Sequence, residues 1–192
     1  AGIGSLTHGN QTANYEAADL DEEIFIINNT FVNNNYGVSG GENSLLLNNI
    51  FSNHTTTALN LVDGNSLVAF SLMYNNGLDE IASNLDAKTT LTGQDPLLNA
   101  AYALNAGSPA IDVGQPVLVW NGETLIYQQF GDFVGEGPDL GALESNFIQS
   151  LSAPVPTLPA NTATMVSLTP TLTWSGNMQD YEIEIFACPS GN

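Results

Sequence analysis

A repeat about twenty residues long constrains this chain more than any other feature. Three segments carry it: residues 25–35 (FIINNTFVNNN), 45–54 (LLLNNIFSNH) and 68–76 (VAFSLMYNN). Their alignment sets Asn29 over Asn49 over Ser71, Phe31 over Phe51 over Met73, and Asn33 over Asn53 over Asn75, at offsets of 20 and then 22 residues. A weaker register links Val38 with Leu59. Apolar residues alternate within each segment, which is the period of a strand and not of a helix. A unit this short cannot bury its own apolar face, so units must stack on one another. Leucine-rich repeats have a similar period, but their leucine spacing is missing. The expected fold is all-β: a right-handed parallel β-helix with Phe31, Phe51 and Met73 stacked inside. Adjacent coils would lie about 4.8 Å apart. Asn33, Asn53 and Asn75 would form a ladder at a turn, where Asn tolerates the left-handed conformation.

Outside the three segments the pattern fades. Residues 1–23 read as part of an earlier coil followed by a polar insertion, and further coils are expected to precede Ala1. Residues 77–115 are expected to hold one or two degenerate coils. Within 116–145, the Trp120-Asn121-Gly122-Glu123-Thr124 centre reads as a hairpin turn between two short strands. Pro154, Pro156 and Pro159 mark a linker. After it, two alternating strands flank a polar turn, with Trp174 and Tyr181 as core aromatics. The expected organisation is a β-helix with its closing coils and cap over 1–147, a Pro-rich linker over 148–159, and a further β segment over 160–192.

Composition narrows the partners. The chain has 20 acidic residues against a single Lys or Arg, Lys88, and a net charge of −19. Polyanions are bound through Lys and Arg, so this balance argues against nucleic acid and against anionic membranes. Cations, neutral sugars and basic protein surfaces remain. One cysteine, Cys188, rules out an intrachain disulfide, and no apolar run approaches the length of a membrane span.

Two motifs carry a resemblance. Asp95-Pro96, Leu104, Ser108-Pro109-Ala110-Ile111-Asp112 and Gly114, followed by Asp139-Leu140-Gly141-Ala142 and Glu144, resemble the closing coils of bacterial pectate-lyase-like β-helix proteins. The NNTF and NNIF strings at residues 28–31 and 48–51 fit the same family. The resemblance implies a parallel β-helix in a secreted or cell-surface protein. It departs from the family in one respect: no arginine precedes the final acidic motif, so a salt bridge closing the last coil is missing or replaced. Residues 153–186 resemble the opening strands of a fibronectin type III or Ig-like module, too short for the complete sandwich of about seven strands.

Candidate chemistry follows from the residue types. In the lyases of this fold a Lys or Arg serves as base, and Lys88 is the one candidate. Glycoside hydrolysis needs two carboxylates, and Asp63, Asp79, Glu80 and Asp86 lie near consecutive coils. Thr7-His8-Gly9 resembles a hydrolase string weakly, and His8 and His54 read more simply as loop or ladder residues. Calcium takes several oxygen ligands. Asp19, Asp21, Glu22 and Glu23 form one candidate cluster, and Asp132, Glu136 and Asp139 form another. Both also read as plain solvated acids. Tyr74, Trp120 and Tyr127, with Tyr36 and Tyr102, could stack on sugars or simply pack.

Two function classes follow. One is a non-catalytic structural, adhesive or scaffold module that works with other copies or other protein chains in an extracellular assembly, with polysaccharide as a further partner. The other is the rear part of a carbohydrate-active β-helix enzyme. The shortage of basic residues favours the first.

Overall fold

A computed structural model describes residues 2–4, 24–41, 43–120, 122–129, 131–149, 155–158, 171 and 173–175. The chain divides into two compact units, residues 1–149 and 150–192. The described residues form strands, turns and loops with no helix.

The first unit is a parallel β-solenoid of about three turns. After a short β1 (Ile3–Gly4), one coil comprises β2 (Ile24–Ile27), β3 (Thr30–Val32) and β4 (Tyr36–Ser39). The second comprises β5 (Ser44–Leu47), β6 (Ile50–Ser52) and β7 (Thr57–Asn60). The third comprises β8 (Leu67–Ala69), β9 (Leu72–Tyr74) and β10 (Glu80–Ile81). Equivalent strands pair in parallel, giving sheets in the orders β2-β5-β8 and β1-β4-β7-β10. The third sheet, β3-β6-β9, gains β11 (Leu91–Thr92) from a degenerate fourth coil. A single bridge, Val68 to Leu85, marks the same coil on the first sheet. The pairing places Phe31 on Phe51, Phe51 on Met73, and Val38 on Leu59, the register the repeat implies.

Each coil turns three corners, and each corner is made by a residue in the left-handed region. Asn28, Asn48 and Phe70 form the first corner, with φ of 55°, 54° and 45°. Asn33, Asn53 and Asn75 form the second, with φ of 59°, 59° and 50°. Gly40, Leu61 and Ala82 form the third, with φ of 82°, 57° and 47°. The conformation suits Asn and Gly and costs more for Leu, Phe and Ala, so those three depend on their neighbours for support.

Beside the corners, where strand pairing lapses, a side chain of the following coil accepts the backbone N–H. Asn29 N–H donates to Asn49 Oδ1 (2.9 Å), and Asn49 N–H to Ser71 Oγ (3.2 Å). Asn34 N–H donates to His54 Nδ1 (3.2 Å), and His54 N–H to Asn76 Oδ1 (3.1 Å). Ser44 with Ser66, Val62 with Ser83 and Phe70 with Thr89 repeat the device. These bonds remove the penalty for burying a main-chain donor, about 1–3 kcal/mol each.

The interior of the solenoid is narrow. Ile26, Leu46, Val68, Phe31, Phe51, Met73, Val38 and Leu59 fill it. The Phe31 and Phe51 rings stack in parallel with centroids 4.9 Å apart. Gly37 faces this core: a side chain there would strike Ala58 O at 2.5 Å and the Phe51 ring at 2.8 Å.

The fourth coil is the degenerate one expected within 77–115, and from Asp95 the chain ceases to coil. The alternation of β3-β6-β9 leaves Ile50 and Leu72 facing outward, and Leu104, Ala110, Ile111 and Leu140 pack over them. Leu45, Leu47 and Ala69 face outward from the first sheet. Over them lies an antiparallel hairpin, β12 (Val117–Trp120) and β13 (Glu123–Tyr127), through Ile126, Leu118, Trp120 and Leu125. Both faces of those strands are apolar, so a second layer must cover them. Asn48 fixes that layer at its corner. Its Oδ1 accepts Gln115 N–H (2.8 Å), its Nδ2 donates to Gln115 O (3.1 Å), and its carbonyl accepts Gly141 N–H (2.8 Å).

In the second unit β14 (Val155–Leu158) pairs antiparallel with β15 (Thr173–Ser175). A strand therefore occupies part of the stretch read as linker. Its pairing shifts register between Pro156 and Leu158, where a proline is tolerated. Tyr181 and Cys188 lie outside the described residues.

Two measurements test this fold. Asn48→Gly keeps the corner conformation and deletes both side-chain bonds to Gln115; denaturant unfolding should show a loss of about 1–3 kcal/mol, and the Gln115 amide should exchange faster with solvent. The second concerns His54, whose Nε2 is buried without a partner. Burial lowers its pKa below the ordinary 6.5. The unfolded chain therefore takes up a proton first, and stability is lost as pH falls from the ordinary value through the folded one. His54→Asn supplies an acceptor that does not titrate, so the fall in stability between about pH 7.5 and pH 5.5 should shrink.

Candidate functional site

The second corner opens onto a cleft of about 420 Å³. One wall comes from the solenoid. The pairing of β3, β6 and β9 stacks Val32, Ser52 and Tyr74 along it, and Asn33, Asn53 and Asn75 follow at the corner. Asn75 Nδ2 donates to Asn53 Oδ1 at 2.6 Å, and Asn53 Nδ2 donates to Ser52 Oγ at 2.9 Å.

The facing wall is the loop that leaves the last coil, with Asp95, Pro96, Leu98, Asn99 and Tyr102. Its shape is set by its own side chains. Asp95 Oδ1 accepts Leu97 N–H at 2.8 Å, and Asn99 Oδ1 accepts the N–H groups of Ala101 (2.8 Å) and Ala103 (3.2 Å). Leu97 and Tyr102 both adopt left-handed φ, 50° and 62°. Ser108 Oγ donates to Pro96 O at 2.7 Å and ties the loop to the SPAID segment. Tyr102 stands 54% exposed. Across the cleft the negative charge of the Asp95 carboxylate, then burial, raises the Tyr74 pKa above its ordinary value.

In the acidic motif near residue 139 the carboxylates accept backbone N–H groups. Asp139 is 4% exposed, and both its oxygens are occupied: Oδ1 accepts Asp112 N–H (2.9 Å) and Oδ2 accepts Ser145 N–H (2.7 Å). Glu144 accepts Val134 N–H (3.0 Å) and Asp139 N–H (2.9 Å). Asp112 Oδ2 accepts Gln149 N–H at 2.6 Å. Asp132 closes its own exposed turn by accepting Gln129 N–H at 2.8 Å, and Glu136 is exposed. Among the described residues no group of three or more His, Cys, Asp or Glu is arranged to hold a metal ion. Asp139, Asp112 and Glu144 thus form a clasp of carboxylates closed by backbone N–H groups. Burial raises the pKa of Asp112 and of Glu144, with the Asp139 charge adding to both. Asp19, Asp21, Glu22 and Glu23, and His8, lie outside the described residues.

The remaining candidates are dispersed. Asp79 accepts from Asn76 Nδ2 (3.0 Å), and Glu80 accepts Ser83 N–H (3.1 Å) beside β10. Lys88 is exposed in the turn before β11, in a different sheet; its N–H donates to Asp86 Oδ1 (3.0 Å). Of the aromatic candidates, Tyr74 lines the cleft, Trp120 is half-buried over the first sheet, and Tyr127 is 65% exposed on the hairpin. Asp95 and Asn99 are the cleft residues that sequence reasoning did not single out for binding. The one available signal was a turn-forming Asp-Pro and an Asn near an aromatic.

No protein-family model, curated protein or solved structure matches the chain.

The clasp makes a definite prediction. The neutral forms of Asp112 and Glu144 favour the folded state. Their contribution is complete below the ordinary values of 3.8 and 4.5 and is lost as pH rises through the raised folded values. Asp139→Asn removes a neighbouring charge, so carboxyl ¹³C shifts should show Asp112 and Glu144 titrating at lower pH. The same change sets an amide NH₂ against a backbone donor and should cost about 1–3 kcal/mol in stability.

Proposed function

We propose that this chain is a non-catalytic structural or adhesive module of a large secreted or cell-surface protein, working in an extracellular assembly with other chains or with polysaccharide. The observation that carries this reading is how the carboxylates are used. Asp79, Glu80, Asp86, Asp132, Asp139 and Glu144 each accept a hydrogen bond that closes a nearby turn or clasp. Each of these carboxylates thus has a structural task in the fold, which supports a non-catalytic role. The charge of −19 and the single Lys88 support the same reading, because a uronate-cleaving lyase needs cationic groups around its substrate. A stack of coils sealed by an outer layer is a rigid spacer, which suits a scaffold.

A second reading, the rear part of a carbohydrate-active enzyme, is favoured by the cleft at the second corner. Incubation with pectin, alginate and chondroitin separates the two. The expected outcome is no release of unsaturated or reducing ends. Release that disappears in Lys88→Ala or Asp79→Asn would overturn the non-catalytic reading.

A further inference from the structure

We infer that the cleft at the second corner is a binding site for a neutral oligosaccharide, held between the amide row of Asn53 and Asn75 and the exposed ring of Tyr102. This rests on the non-catalytic reading above and gives that module a ligand class.

The size fits: about 420 Å³ lies within the range of small-molecule sites, roughly 300–1,000 Å³. So does the lining. Amides and hydroxyls offer donors and acceptors side by side, and a ligand that answers both must carry both, as vicinal hydroxyls do. The amides recur with the coil rise of about 4.8 Å, close to the advance of one pyranose along an extended chain. Asp95 is the one charged side chain in the cleft. It repels uronates and phosphates, and its bond to Leu97 N–H holds it in place as a hydroxyl acceptor.

Tyr102 is the most telling residue. A buried aromatic explains itself by packing, but this ring is exposed, on a backbone in the left-handed region at φ 62°. The Asn99 side chain, bonded to Ala101 and Ala103 N–H, fixes the turn that presents it. An exposed aromatic lining the same cleft as a row of amides suits the C–H face of a pyranose, with the hydroxyls turned to the amides.

The test is titration of the whole chain with cellotetraose, mannotetraose, xylotetraose and chitotetraose, read by calorimetry and by side-chain amide NMR. Tetragalacturonate and 1,4-diaminobutane serve as the anionic and cationic comparisons. At least one neutral tetrasaccharide should bind and shift the Asn53 and Asn75 NH₂ signals. Tyr102→Ala should weaken it about tenfold or more, equivalent to about 1.4 kcal/mol, while Tyr127→Ala on the hairpin leaves it unchanged. The NMR shifts in the unmodified protein keep the test valid if Tyr102→Ala fails to fold. Failure of all four neutral ligands, stronger binding of the uronate or diamine, or binding that ignores Tyr102 would overturn the proposal. Product analysis of the same mixtures keeps the two readings apart: cleavage of a bound oligosaccharide would defeat the non-catalytic reading and leave the binding site standing, whereas no binding and no cleavage would do the reverse.

Discussion

The hydrogen bond from a main-chain N–H in one coil to a side chain in the next is the contact on which this solenoid depends. Backbone pairing between coils runs along the sheets and reaches the left-handed corner residues, but not the residues that follow several of them. There the chain changes direction, and its donors would be buried without partners. Asn49, Ser71, His54 and Asn76 take up those donors. The corners can then be tight, the coils small, and the interior narrow enough for one or two large side chains per strand to fill it. The stacked rings of Phe31 and Phe51 follow from that narrowness.

A coil this thin has strands with two apolar faces, and the second face sets the fate of the chain's remainder. Ile50 and Leu72 on one sheet, and Leu45 and Leu47 on another, would meet water if coiling continued to the end. The chain instead returns along its own outside, gripped at Asn48. The carboxylate clasp of Asp112, Asp139 and Glu144 holds this return through backbone N–H groups. That solution suits a protein carrying a charge of −19, though it leaves Asp112 Oδ1 buried and unpaired.

What could be read in the sequence follows the chemistry of the corners. Asn28, Asn33, Asn48, Asn53 and Asn75 declare left-handed backbone, and with the Phe31-Phe51-Met73 column they determine the register. Leu61, Phe70 and Ala82 occupy equivalent corners with no such mark, because there the neighbouring coils impose the conformation. The return of residues 95–145 was illegible for a related reason: apolar residues that cover a sheet have no period of their own, and SPAID and DLGALE look alike whether they coil or clasp. Tyr74 and Tyr102 could be named as aromatics, but their meeting across one cleft depends on where the return begins. Asp132 and Asp139 are close in sequence, yet one closes an exposed turn and the other is buried in the clasp.

The direction of the corner bonds carries a consequence for how such a protein is made. In each case the donor lies in the earlier coil and the acceptor some 19 to 22 residues later. A coil newly released from the ribosome therefore cannot complete its own corners; it waits for its successor. The layer that seals the outside is made later still, 67 residues after the corner that anchors it. Before that layer is in place the outer faces of the coils carry exposed apolar residues, Leu45, Leu47, Ile50 and Leu72 among them.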